Sequence, residues 1–301
     1  MNDADADGTA RSPRGAPTLP ELRRVPGLLR RDPWLAVPFL LAAVVVGLVG
    51  LRRRRDALPS TTPDELAATL HVEPSLYPAG TQPTVRHVGA FVDARPVYLA
   101  GAVGLEAVAA AAVALAGWVV VVRSAGARYR AAAFARYLGV VLLLGPVPTL
   151  LGSPSVDVDG LFPGLFVAVV GALVVVRLFL VPGFLAVGAG VPAAVRRSVA
   201  ASRGRGWRLL AYAVGFGTAS WLLARHLPGG GVASTALVGT VHAATLGTLV
   251  ADAGGAGDAG DASGDRDGDR DGDAAGPPHR PGNGRGRAHD GSQSSDEAHV
   301  E

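Results

Sequence analysis

The 301-residue chain contains no cysteine and no lysine, and only 6% of it is aromatic. Without cysteine it has no disulfide, no thiolate nucleophile and no cysteine-held metal. Without lysine, all 28 basic residues are arginine. Charge is scarce as well, at 18% against 49% hydrophobic residues. That balance belongs to the membrane class and not to a soluble domain, whose apolar residues come in shorter, interrupted pieces. No phosphate-binding glycine loop, metal-ligand cluster or nucleophile triad appears, so the sequence implies no cofactor and no catalytic residue. What is abundant is Ala, Val, Leu and Gly, the residues of helices that pack closely in lipid. Lysine-free, Ala/Val-rich usage with an Asp-rich tail has the character of a salt-adapted, GC-rich archaeon.

A bilayer core of about 30 Å takes roughly 20 apolar residues per helical crossing. Six stretches qualify: Trp34–Leu51, Val97–Val122, Ala132–Gly152, Leu161–Val187, Leu209–Leu227 and Gly231–Val250. The expected fold is therefore all-α, a polytopic membrane protein of six transmembrane helices with short cytoplasmic interfacial helices. Residues 1–20 read as a disordered tail, 21–251 as the membrane domain with an external loop at 52–96, and 252–301 as a disordered acidic tail. The first stretch is no signal peptide. It starts late, exceeds a typical apolar core and ends in Arg52–Arg55, where a cleavage site would need small residues.

The net charge of +3 hides two opposed parts. From Asp252 onward 5 Arg face 12 acids, giving −7, while the remainder has 23 Arg against 13 acids, giving +10. Those arginines sit at span ends, so they point to membrane flanks and lipids as partners, not to nucleic acid. With both termini inside, 15 arginines fall on the cytoplasmic side and 7 outside, which sets the expected orientation. Arg52–Arg55 is the exception, on the wrong side. Three segments ahead of spans pair helical apolar spacing with arginine: Leu22/Val25/Leu29, Tyr129/Ala133/Tyr137 and Val191/Val195/Val199. They suggest three units, each a basic interfacial helix followed by two spans. Pro26 would interrupt the first.

Polar groups inside spans are the candidate site residues. Glu106 shares a helical face with Ala102, Ala110 and Ala114, and a carboxyl there must face protein or a wet cavity. His242 sits midway along the last span, beside a four-residue ridge of Gly231, Thr235, Gly239, Ala243 and Gly247. For both, a hydrogen bond between helices is favoured over a proton or cation role, and their similar depth would allow a Glu106–His242 pair. Arg177, near the end of the fourth span, is expected to snorkel to the headgroups. Pro146 and Pro148 should kink the third span. Thr62-Pro-Asp-Glu65 has the form of a capped helix start, predicting a short surface helix to about His71. In the acidic tail, Asp267-x-Asp269-x-Asp271-Gly272 imitates half a calcium loop, but position twelve is Pro278, so no metal site is expected.

One stretch carries a resemblance. Arg177-Leu-Phe-Leu-Val-Pro, then Ala193-Ala-Val-Arg-Arg-Ser198, then Ser202-Arg203-Gly204-Arg205-Gly-Trp207-Arg208 resembles the membrane domain attached to some glycerophosphodiester phosphodiesterases, and related stand-alone archaeal multi-pass proteins. The resemblance implies a cytoplasmic helix with an Ala194-x-x-x-Ser198 core followed by an Arg203-Gly204 turn into the next span. Ser198, Arg203 and Gly204 are thus the candidate cytoplasmic motif. An acidic residue usual before that helix is replaced by Ala186-Val187-Gly188. The phosphodiesterase chemistry is not implied, because it resides in a soluble barrel for which no segment is long enough. His279-Arg280 is too isolated to be its remnant. The expectation is a non-catalytic integral membrane protein that organises lipid or envelope, alone or as a homo-oligomer. The alternative is a small transporter or channel using Glu106 and His242.

Overall fold

The computed structural model describes residues 20–55, 75–81, 96–145 and 161–264, and among these there is no β-strand. The tails, the helix expected after Thr62, Pro146, Pro148 and the calcium-like motif lie outside them. The chain divides into two units, Met1–Asp258 and Ala259–Glu301, and the site residues all belong to the first.

Helix α1, Pro20–Arg31, opens the fold. Val25 is buried and Leu22 and Leu29 pack beside it, while Arg23, Arg24 and Arg30 stay exposed. Glu21 in the first turn and Arg30 and Arg31 in the last complement the helix dipole. The helix runs straight through Pro26. On this exposed side the missing N–H costs one bond, which does not outweigh the buried apolar face. A short 3-10 turn at Pro33–Leu35 leads into α2, Val37–Arg55, which therefore includes all four arginines of the Arg52–Arg55 run. Helix α3, Pro96–Ser124, packs along α2. Helix α4, Ala131–Leu144, follows and buries Ala133, Tyr137 and Val141. The second expected interfacial helix is thus no separate element. Ala133 and Tyr137 lie on the core face of α4 itself, while Tyr129 precedes the helix and is exposed.

Helix α5, Leu161–Leu178, gives way at Phe179–Leu180 to the single turn α6, Val181–Ala186. Pro182 explains the break, since it has no N–H to offer the carbonyl of Leu178. Helix α7, Val191–Ala201, is short and starts with Pro192 in its first turn. A turn through Gly204, whose φ of +72° suits glycine, leads to α8, Gly206–His226. Helix α9, Gly230–Gly264, is the longest.

Four of these segments are long and apolar enough to cross a membrane: Pro33–Arg55, Tyr98–Ser124, Gly164–Ala186 and Gly230–Gly254. The other two expected crossings fall short for different reasons. Helix α4 has 14 residues, about 21 Å at 1.5 Å per residue, and its predicted continuation lies outside the described residues. Helix α8 has the length, with 21 residues. However, Thr218 and Ser220 in its middle and Arg225 and His226 at its end lower its hydropathy.

The lipid signature is on the outside. Leu40, Leu41, Val44 and Leu48 of α2 and Phe162, Leu165, Phe166 and Leu173 of α5 are all more than half exposed. Surfaces of that kind are stable against lipid tails and not against water. At the centre stands α9, whose apolar window is 67% buried against 22% for the segment containing α5. The glycine ridge read from the sequence is what lets neighbours in. A Cβ on Gly239 would run into the ring of Phe39 in α2, and one on Gly247 would meet Ser124 and the carbonyl of Val121 in α3. The threonines of this central helix satisfy themselves. Thr235, Thr240 and Thr245 each donate to the carbonyl four residues back, at 2.8, 2.6 and 2.7 Å.

Candidate functional site

The intramembrane polar residues form three separate knots, each built by a different part of the fold.

The first joins α2 and α3. Glu106, ten residues into α3, accepts a hydrogen bond from the Nη2 of Arg53 through its Oε2. The guanidinium is only 3% exposed and the carboxylate 17%, so the two charges compensate each other in a poorly hydrated place. At the opposite end of the same hairpin, Arg123 grips Asp32 with both Nε and Nη2, at 2.5 and 3.0 Å. Asp32 precedes the 3-10 turn and caps no backbone N–H there, so its carboxylate is fully committed to the arginine fork.

The second knot follows from the break at Pro182. The carbonyl of Arg177 lies one residue from the end of α5, and the hydroxyl of Ser198 in α7 donates to it at 2.5 Å. The Arg177 side chain turns the same way. Its Nη1 donates to the carbonyl of Val199 and to the Oγ of Ser202, both at 3.2 Å. A cation placed on the last carbonyls of α7 satisfies groups that have no partner within the helix. Arg177 therefore does not snorkel freely to the headgroups, as its position near a span end suggested; it ties α5 to α7. Ser198 is fully buried and structural, while Arg203 and Gly204 form the exposed turn beyond.

The third knot surrounds His242 on α9. Its ring is stacked between Phe216 of α8, at 4.5 Å between centroids, and Phe179, at 5.5 Å, with interplanar angles of 16° and 9°. The Oγ of Ser75 stands 3.5 Å from Nδ1, and Nε2 has no hydrogen-bond partner among the described residues. Ser75 belongs to an irregular segment, 75–81, that enters the bundle. Its N–H donates to the carbonyl of Ala213 in α8 and its Oγ to the carbonyl of Tyr77. At the far end, the N–H of Thr81 donates to the Oγ of Ser234 in α9. These anchors on α9 are eight residues apart, about 12 Å along its axis, which a seven-residue non-helical strip can cover easily. The sequence reads all of 52–96 as an external loop. Part of it instead lines the core, where backbone outside regular structure is tolerated only against protein or a wet cavity.

Glu106 and His242 are not brought together. The first bonds to Arg53, the second packs between aromatic rings. Among the described residues no three His, Asp or Glu side chains cluster in a way that could hold a metal ion. No family model, curated protein or solved structure matches the chain.

Several partners were invisible in the sequence. Arg53 is one of four consecutive arginines, and helical geometry alone turns it inward. Ser75 is 167 residues from His242. Glu21 is buried and accepts a bond from the Tyr212 hydroxyl at 2.8 Å, fastening α1 to α8, again with 191 residues between. The one usable signal was the run Arg52–Arg55, which the expected orientation left unexplained.

Proposed function

We propose that this chain is a non-catalytic integral membrane protein that organises lipid or envelope components, with six crossings and both termini cytoplasmic. The observation that carries the reading is how the three candidate ionisable groups are used. Glu106 is neutralised by Arg53, Arg177 is spent on the end of α7, and His242 is wedged between two phenylalanines. A transport pathway needs such groups at successive depths along one wet route. These occupy three unconnected knots. The pairing of Arg53 with Glu106 also removes one positive charge from the misplaced run, which eases the proposed orientation. The resemblance of Ala194-x-x-x-Ser198 and Arg203-Gly204 to the membrane domain of the phosphodiesterase type fits the same role, since Ser198 here fastens one helix to the next.

A second reading, a small transporter or channel, draws support from segment 75–81. Irregular backbone that reaches a buried histidine whose Nε2 lacks a partner is an arrangement found along substrate paths. Proton and solute flux into liposomes carrying the purified protein separates the two. The scaffold reading expects flux indistinguishable from empty liposomes and a stable, folded His242→Phe variant. Flux that disappears in His242→Phe or Glu106→Gln would replace it with the transporter reading.

A further inference from the structure

A cavity of about 530 Å³ opens between α1, the 3-10 turn, α3 and α9, within the size range of small-molecule sites. Its polar lining is Arg23, Arg24, Arg31, Asp32, Arg123, Ser124 and Thr248. Two of these arginines have carboxylates of their own. Arg123 holds Asp32, and Arg24 reaches Asp252 at 3.3 Å. Arg23 and Arg31, which both line the cavity, have no carboxylate partner among the described residues. The cavity thus presents two uncompensated guanidinium groups, whose planar forks suit phosphate oxygens.

We propose that this cavity binds the phosphate headgroup of one anionic phospholipid. The occupant follows from where the cavity sits. Leu28 and Leu35 complete its wall, and beside Leu35 stands Trp34, 68% exposed, the residue type that marks the membrane interface. Just beyond, α2 exposes Leu40, Leu41 and Val44, an apolar surface suited to acyl chains. A free phosphate would use the arginines and leave that surface unexplained. Basic pockets between membrane helices on the inner face are a recognised form of headgroup site. The inference deepens the lipid-organising reading. The two fail differently, because loss of this site would leave the liposome flux result unchanged.

Thermal unfolding of the full chain in zwitterionic micelles tests it, with phosphatidylglycerol, phosphatidylcholine or inorganic phosphate added. Phosphatidylglycerol should raise the midpoint by on the order of 5 °C, with little response to the other two. In Arg23→Gln/Arg31→Gln the midpoint without lipid should hold while the response falls to the phosphatidylcholine level. Arg196→Gln/Arg197→Gln on α7 removes the same charge elsewhere and should keep the response. Equal effects of the two lipids, a full response in Arg23→Gln/Arg31→Gln, or a response lost equally in the α7 variant would overturn the site. A response to inorganic phosphate as large as to the lipid would overturn the lipid assignment. Should the α1 variant not fold, native mass spectrometry of the unmodified protein decides. One retained phosphatidylglycerol and no retained phosphatidylcholine supports the site; neither retained overturns it.

Discussion

Arg53 of α2 reaches back to Glu106 of α3 from beyond it. Asp32 and Arg123 fix the other end of this hairpin, and from there Arg53 lies 21 residues on, through the 3-10 turn and α2, while Glu106 lies 17 residues back along α3. At about 1.5 Å per residue the difference is roughly 6 Å, close to the length of an extended arginine side chain. The guanidinium is therefore drawn down from the end of α2 toward a carboxylate nearer the interior.

The two halves of this pair are not equivalent when removed. Glu106→Gln takes the countercharge from a guanidinium that is only 3% exposed, whereas Arg53→Gln leaves a carboxylate that is 17% exposed and better hydrated. Glu106→Gln should cost about 3 kcal/mol and Arg53→Gln about half of that, with the double variant losing less than the sum. Unfolding in detergent micelles measures all three. Equal losses from the two single changes would show that the charges are not what holds the hairpin.

At the second knot, Ser198→Ala removes the donor to the Arg177 carbonyl and should cost about 1 kcal/mol. Arg177→Gln uncaps the end of α7, so amide exchange in Val191–Ala201 should accelerate while exchange in α9 stays slow. Unchanged protection of α7 would return Arg177 to the headgroups.

The ridge of α9 makes a paired prediction. Gly239→Ala collides with the ring of Phe39, a side chain, so Phe39→Leu should recover much of the lost stability. Gly247→Ala meets the backbone carbonyl of Val121 as well as Ser124, and Ser124→Gly should recover little. Similar rescue at both sites, read as midpoints in thermal melts, would contradict the packing described.

Orientation is open to labelling because the chain has no cysteine of its own. Exposed positions are needed, which excludes the bonded Ser75 and Ser202. Arg203→Cys should react with an impermeant reagent only after permeabilisation, and His226→Cys should react from outside. Labelling of Arg203→Cys in intact cells would invert the proposed topology.

Much of the architecture could be read from residue order. Runs such as Val37–Leu51 and Val97–Val122 have too few polar side chains to be anything but buried in lipid or protein. In the ridge of small residues on α9, Gly239 and Gly247 marked close approaches to α2 and α3. Depth, however, is all that such runs encode. Helix α8 alternates Tyr212, Thr218 and Ser220 with apolar residues because its polar groups face protein, and that choice of face depends on helices not yet placed. The partners of Glu106 and His242 are set by tertiary register. Arg53 is distinguished from Arg52 and Arg54 only by a 100° rotation, and Ser75 by the docking of a strip that looks like an ordinary polar loop. The break after Leu178 was written in Pro182, yet its consequence, a carbonyl offered to Ser198, needed the returning helix to be seen.

Helix α9 touches α2, α3, α6, α8 and segment 75–81, and it is the last of these to leave the ribosome. Until it inserts, Phe39, Phe216 and Ser75 lack the helix they pack against, although α2 and α3 already share a surface of their own. A ribosome stalled before Gly230 would leave behind a chain already inserted yet unable to close, a clear substrate for membrane quality control.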